Sequence, residues 1–205
     1  FDDGWADNVE FALPRLEAAG MPALLFVVAD AIDRRLPFYQ EQLVSAWRLG
    51  RLGTADLQRA MAAVGHAATP APANDNANLR RLIGELESLP RALRESVLAA
   101  LAQRLDDGYR SMVVAAELEQ LVQGGVAVGL HGKTHEPLPL VDDLDAELGG
   151  ARAQVAARLP AGTKPSTMSF PHGRYDMDIA RRAQSAGYEM VFTSVPVLNP
   201  ARPGP

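Results

Sequence analysis

Apolar positions along this chain fall into one recurring unit: a helix with a single apolar face, a glycine, and a short unbroken apolar run. Val9–Ala19, Gly20 and Ala23–Val28 form the first unit; Ala115–Gln123, Gly124-Gly125 and Val126–Leu130 the second. The third is Ile179–Ala186, Gly187 and Met190–Thr193, and a further run, Thr167–Phe170, follows the helix-like Leu144–Leu159. Glycine just past a helix suits the left-handed cap, which other residues enter at a steric cost. Continuous runs of four to six apolar residues fit strands buried on both faces, and helices alternating with such strands predict an α/β fold. In the first unit Asp7 and Glu10 have capping-box spacing, but Pro14 lies inside the pattern and predicts a kink or a late restart.

The rhythm breaks between Leu36 and Ser111. Phe38–Leu49, Thr54–Val64, Leu79–Leu86 and Arg91–Leu105 read as helices, with Thr54 and Ser88 as caps and Pro90 in a first turn. His66–Ala77, rich in Ala, Pro and Asn, reads as an exposed, mobile loop. The whole chain, residues 1–205, therefore reads as one domain carrying a helical insertion at about 36–111.

Composition narrows the classes. Apolar residues make up 47% and charged residues 22%, ordinary for a globular chain. A net charge of −5 and no basic run argue against nucleic acid as a partner. No apolar stretch reaches the roughly 18 residues of a membrane span. Without cysteine there is no disulfide and no thiolate metal site. The chain opens directly on Phe1-Asp2-Asp3-Gly4 and closes on a loop-like Asn199–Pro205. These ends predict a piece of a longer protein, incomplete at both ends. The lack of a signal peptide in the span favours the cytoplasm.

Three segments carry chemistry, each beside a predicted strand end, where α/β barrels keep their active sites. In Phe1-Asp2-Asp3-Gly4, two adjacent carboxylates can divide labour between a cation and a proton; the same triplet at Asp106-Asp107-Gly108 reads as a solvated turn. In His131-Gly132-Lys133-Thr134-His135, a spacing of four lets one helical turn bring two imidazoles to one cation. The alternative is two unrelated surface histidines, though the chain has only four. In Ser169-Phe170-Pro171-His172-Gly173-Arg174-Tyr175-Asp176, a tight loop could turn backbone N–H groups toward a substrate, or simply precede a helix capped by Asp176.

Taken in order, Phe-Asp-Asp-Gly, His-x-x-x-His and Pro-x-Gly resemble the NodB-homology polysaccharide deacetylases, carbohydrate esterase family four. The resemblance covers Phe1–Ala31 and Met112–Thr193; the insertion is similar, less specifically, to that of bacterial members linked to surface-glycan synthesis. It implies a distorted (β/α) barrel, one divalent metal ion, usually zinc, and an N-acetylated glycan as substrate. By position it makes Asp2 the general base and Asp3, His131 and His135 the metal ligands, with a backbone N–H near His172 helping to hold the oxyanion. Two features depart from the pattern. Ser169 stands where many members carry an Arg, and the late Leu-x-His motif is absent, leaving His172 as the spare histidine for protonating the leaving amine. Hydrolysis of O-acetyl groups and a non-catalytic carbohydrate-binding relic are the competing functions.

Overall fold

The computed structural model describes residues 1–196, so the loop read at Asn199–Pro205 lies outside the described residues. Two compact units divide the chain. One joins Phe1–Arg34 to the residues from Ser111 onward; the other is Arg35–Arg110.

The first unit is α/β. Its strands β1 (Ala23–Val27), β2 (Val126–Leu130), β3 (Thr167–Ser169) and β4 (Met190–Phe192) form a parallel sheet in the order β1-β2-β3-β4. The register runs Val27↔Leu130, Leu130↔Met168 and Ser169↔Phe192, so the strands' C-terminal ends lie along one edge. Phe1 joins this sheet at the outer side of β1: its amino group donates to Leu24 O and Phe26 N donates to Phe1 O, both at 2.9 Å. Helices α1 (Leu13–Ala19), α6 (Ala115–Gln123), α7 (Ala151–Ala156) and α8 (Met177–Ser185) belong to this unit. Leu118, Leu121, Leu148, Val155 and Ile179 pack with Leu25, Val27, Leu130, Met168 and Phe170 in one buried core. Burial of such side chains, about 1.5–3 kcal/mol each, is the main term holding helices to sheet.

The predicted kink has a specific form. Asn8–Ala12 is a π-helical turn, with Leu13 N donating to Asn8 O, and the α-helix restarts at Leu13 with Pro14 in its first turn. Proline brings no N–H, and the wider turn absorbs the lost hydrogen bond. The Asp7 capping box does not form: Asp7 already has helical angles and makes no side-chain cap bond. Gly20 closes α1 in the left-handed region at φ 61°, as its position predicted.

The second unit is helical throughout its regular structure: α2 (Tyr39–Arg48), α3 (Thr54–Ala63), α4 (Asn76–Glu87) and α5 (Arg91–Leu105). Leu43, Leu57, Met61, Leu79, Leu82, Leu86, Val97 and Leu101 form its own core. Two of its caps sit one step from their expected places, and Ser88 is a cap as expected. Gly53 caps α3, and Thr54 is its first residue; Ser88 closes α4, its hydroxyl donating to Glu85 O at 2.7 Å; Pro90 precedes α5 at the N-cap. The loop after α3 is pinned by Asn74, whose side-chain oxygen accepts from Trp47 Nε1 and Thr54 N. No helix among the described residues is long and apolar enough to cross a membrane.

Candidate metal centre

Three carboxylate and imidazole groups meet at the C-terminal edge of the sheet. Asp3 Oδ1 lies 3.2 Å from His135 Nε2 and 3.5 Å from His131 Nε2. Asp3, His131 and His135 each offer a donor atom within 4.8 Å of the others, the one such group among the described residues.

Each side chain is held by backbone that the sheet dictates. Phe1 is paired to β1, Gly4 O accepts from Val113 N at 2.9 Å, and Trp5 forms an antiparallel bridge with Met112, so Asp2 and Asp3 occupy a turn fixed at both ends. His131 directly follows β2 and continues its pairing, its N–H donating to Val27 O at 2.8 Å. His135 arrives by a loop rather than the helical turn its spacing suggested. Gly132 adopts φ 76°, and a Cβ there would stand 3.0 Å from Pro171 Cγ, so the loop tightens where only glycine fits.

Backbone strain marks the same place. Asp3, His135 and His172 have φ of 75°, 68° and 57°, three of the four described non-glycine residues in the left-handed region. Such residues persist only where the surroundings over-determine them, and they gather at functional sites.

The protonation pattern tests whether a cation fits. His131 Nδ1 lies 2.8 Å from Ser169 O. A carbonyl can only accept, so Nδ1 carries the proton and Nε2 presents a lone pair toward Asp3. Burial lowers the His131 pKa below its ordinary 6.5, outweighing the Ser169 hydrogen bond and the Asp2 and Asp3 charges, which raise it. At neutral pH a lone pair and a carboxylate oxygen therefore face each other. Asp3 Oδ1 is buried and accepts no aligned hydrogen bond, while Oδ2 accepts from Trp5 Nε1 at 3.2 Å. Burial works against ionising Asp3, but closeness to His135 and His131 and the Trp5 bond outweigh it and hold its pKa below the ordinary 3.8. Two imidazoles and one carboxylate, one imidazole oriented by a backbone carbonyl, form a donor set suited to a divalent cation.

Asp2 and His172 flank this group. Asp2 is exposed at the mouth of a cleft of about 540 Å³, which Asp3, Trp5, Phe11 and Arg15 also line. His172 is exposed, its ring 4.6 Å from that of His135 and its Nε2 3.0 Å from His135 O. The N–H groups of Gly173 and Arg174 donate inward to Phe170 O and Pro171 O, so neither is available to a substrate oxyanion. Asp176 is the N-cap of α8, accepting from Asp178 N and Ile179 N, which is the plainer of its two readings. Glu147 belongs to none of the three chemistry-bearing segments. It is buried at 4% exposure and accepts from the loop between the two histidines. Its only sequence signal is an acid at apolar-face spacing in Leu144–Leu159, between Leu144 and Ala151.

The polysaccharide deacetylase family model matches residues 93–191, a stretch that includes His131, His135 and His172 and stops short of Asp2 and Asp3. Over that stretch the chain is similar to the polysaccharide deacetylase family. Solved polysaccharide deacetylases share its fold. IcaB from Ammonifex degensii superposes with a TM-score of 0.53 at 16% identity, over 94% of this chain and 57% of that one. A de-N-acetylase from Aggregatibacter actinomycetemcomitans gives 0.52 at 15%, over 94% and 61%. The BpsB deacetylase domain from Bordetella bronchiseptica gives 0.50 at 15%, over 98% and 63%. The chain thus spans less than two thirds of each of these structures. No curated protein sequence matches it.

Proposed function

We propose that this chain provides the metal centre of a polysaccharide deacetylase, a hydrolase that removes N-acetyl groups from a glycan. The observation that carries the reading is the facing pair at Asp3 and His131: a buried carboxylate oxygen and an imidazole lone pair 3.5 Å apart, with a second imidazole nitrogen 3.2 Å from the same oxygen. Asp3, His131 and His135 would hold one divalent cation, most simply zinc. Such a cation supplies Lewis acidity, polarising the acetyl carbonyl and favouring ionisation of water.

The remaining roles fall to the chain's own groups. Asp2, exposed at the cleft mouth beside the ligand Asp3, takes the proton of the attacking water. As the carbon–nitrogen bond breaks, the amine needs a proton, and His172 at the rim is the proposed donor. With Nε2 engaged by the His135 carbonyl, transfer would run through Nδ1. Acetate and a free amino sugar result. The preference for nitrogen over oxygen esters draws on the de-N-acetylase from Aggregatibacter actinomycetemcomitans, which shares the fold.

The experiment compares Asp2→Asn with wild type in metal content and in turnover of N-acetylated and O-acetylated glycans. The amide keeps the carboxylate's shape but cannot accept the proton. Metal should stay and turnover should fall about a hundredfold to ten-thousandfold. Loss of the metal would make Asp2 a ligand; unchanged turnover would remove it as the base.

A further inference from the structure

The segment that carries both imidazole ligands is held by a carboxylate from elsewhere. Three donors of the His131–His135 loop converge on Glu147: Lys133 N reaches Oε2 at 2.7 Å, Thr134 N reaches Oε2 at 3.1 Å, and the Thr134 hydroxyl reaches Oε1 at 2.6 Å. Thr134 Oγ1 in turn accepts from Glu136 N at 3.3 Å, so the clamp extends past His135. Gly132 abuts the same oxygen, since a Cβ there would lie 3.2 Å from Oε2.

Glu147 reaches this position from a π-helical turn, Ala146–Gly150, that interrupts the helix leading into α7. Among the described residues no Lys or Arg side chain pairs with it, although it is buried. A buried carboxylate without a cation is costly. Here the loop's N–H groups and hydroxyl offset that cost, and a cation at the adjacent ligand group would offset it further. The loop has no regular structure of its own to satisfy those donors, and His135 sits at a strained φ of 68°.

We infer that Glu147 is a positioning residue for the metal site: its carboxylate, accepting from three donors, fixes the loop so that His131 and His135 address one cation. This rests on the reading of Asp3, His131 and His135 as ligands. It makes zinc affinity, and not only folding, depend on a side chain that does not touch the ion.

The test is a zinc titration of the full chain against a competing chromophoric chelator, with thermal melting of the metal-free protein alongside. Wild type, His131→Ala, Glu147→Ala, Glu147→Gln and Thr134→Val are compared. Wild type should bind one zinc and His131→Ala should lose it. Glu147→Ala should weaken binding roughly tenfold to a hundredfold, the range seen when groups behind metal ligands are removed. Glu147→Gln should weaken it less, because one amide oxygen can still accept both backbone N–H groups while the NH₂ meets the Thr134 hydroxyl. Thr134→Val, which spares the backbone bonds, should also weaken it, and it keeps the test open if Glu147→Ala does not fold. Zinc affinity within twofold of wild type in the folded Glu147 and Thr134 variants, whatever happens to their melting, would reduce Glu147 to a structural clamp and overturn this inference alone. A wild type that binds no zinc would overturn the ligand reading, and this inference with it.

Discussion

Asp3→Asn should separate the demands of the metal from those of the fold. In the metal-free protein Asp3 Oδ1 is buried against two Nε2 atoms, and His131 Nε2 presents only a lone pair. An amide NH₂ placed there can donate to a ring nitrogen at 3.2–3.5 Å, while its oxygen keeps the Trp5 indole bond. Asn also tolerates the left-handed backbone of this position. One new hydrogen bond contributes about 0.5–1.5 kcal/mol. At roughly 2–4 °C per kcal/mol for a chain of this size, the metal-free variant should melt a few degrees above wild type. The response to zinc should reverse. Zinc at a hundredfold over its Kd should stabilise wild type by about 2.7 kcal/mol, or roughly 5–11 °C. The variant, lacking the anionic ligand, should show little or none of that rise. Thermal melts near pH 8, where unperturbed imidazoles are neutral, with chelator and then with zinc, give both numbers. A metal-free variant that melts below wild type, or one that keeps the full zinc response, would refute the facing-lone-pair argument.

Metal-free stability should also follow the protonation of His131. Burial holds its pKa below 6.5, so below about that pH the unfolded chain binds a proton that the folded one refuses. Stability should therefore be full above pH 6.5 and fall as pH drops toward the lowered value. Melting of chelator-treated wild type between pH 8 and 5 should show this fall, and His131→Gln should flatten it; equal slopes would contradict the assignment. Asp176→Ala, which removes the acceptor for Asp178 N and Ile179 N at the start of α8, should cost about 0.5–2 kcal/mol by denaturant titration and leave zinc binding unchanged.

The strands and their order of appearance were legible because each is a short run behind a helix, with a glycine just past that helix before β1, β2 and β4. β2 occupies Val126–Leu130, the span its apolar run predicts. The candidate ligands were legible through the family motifs, and the structure brings Asp3, His131 and His135 together. What stayed hidden depends on partners distant in sequence. The Thr54 cap shifted by one residue: Gly53 is the N-cap of α3, and Thr54 N donates to Asn74 Oδ1, far along the chain. The way His135 reaches the site is set by Glu147 and by positive φ angles, neither of which has a local signal. Glu147 itself reads as one more helix acid until its three donors are seen.

The left-handed angles at Asp3, His135 and His172 carry a consequence for anyone reshaping this molecule. Each such angle costs on the order of 1–3 kcal/mol, and glycine would relieve it outright. The backbone thus rewards erasing the very side chains that gather at the sheet edge. Selection for heat resistance alone would drift toward glycine at these three positions, and a hardier but inert scaffold would emerge. Screens that aim to keep the proposed metal centre must therefore score it directly, because here endurance and the candidate ligand set pull in opposite directions.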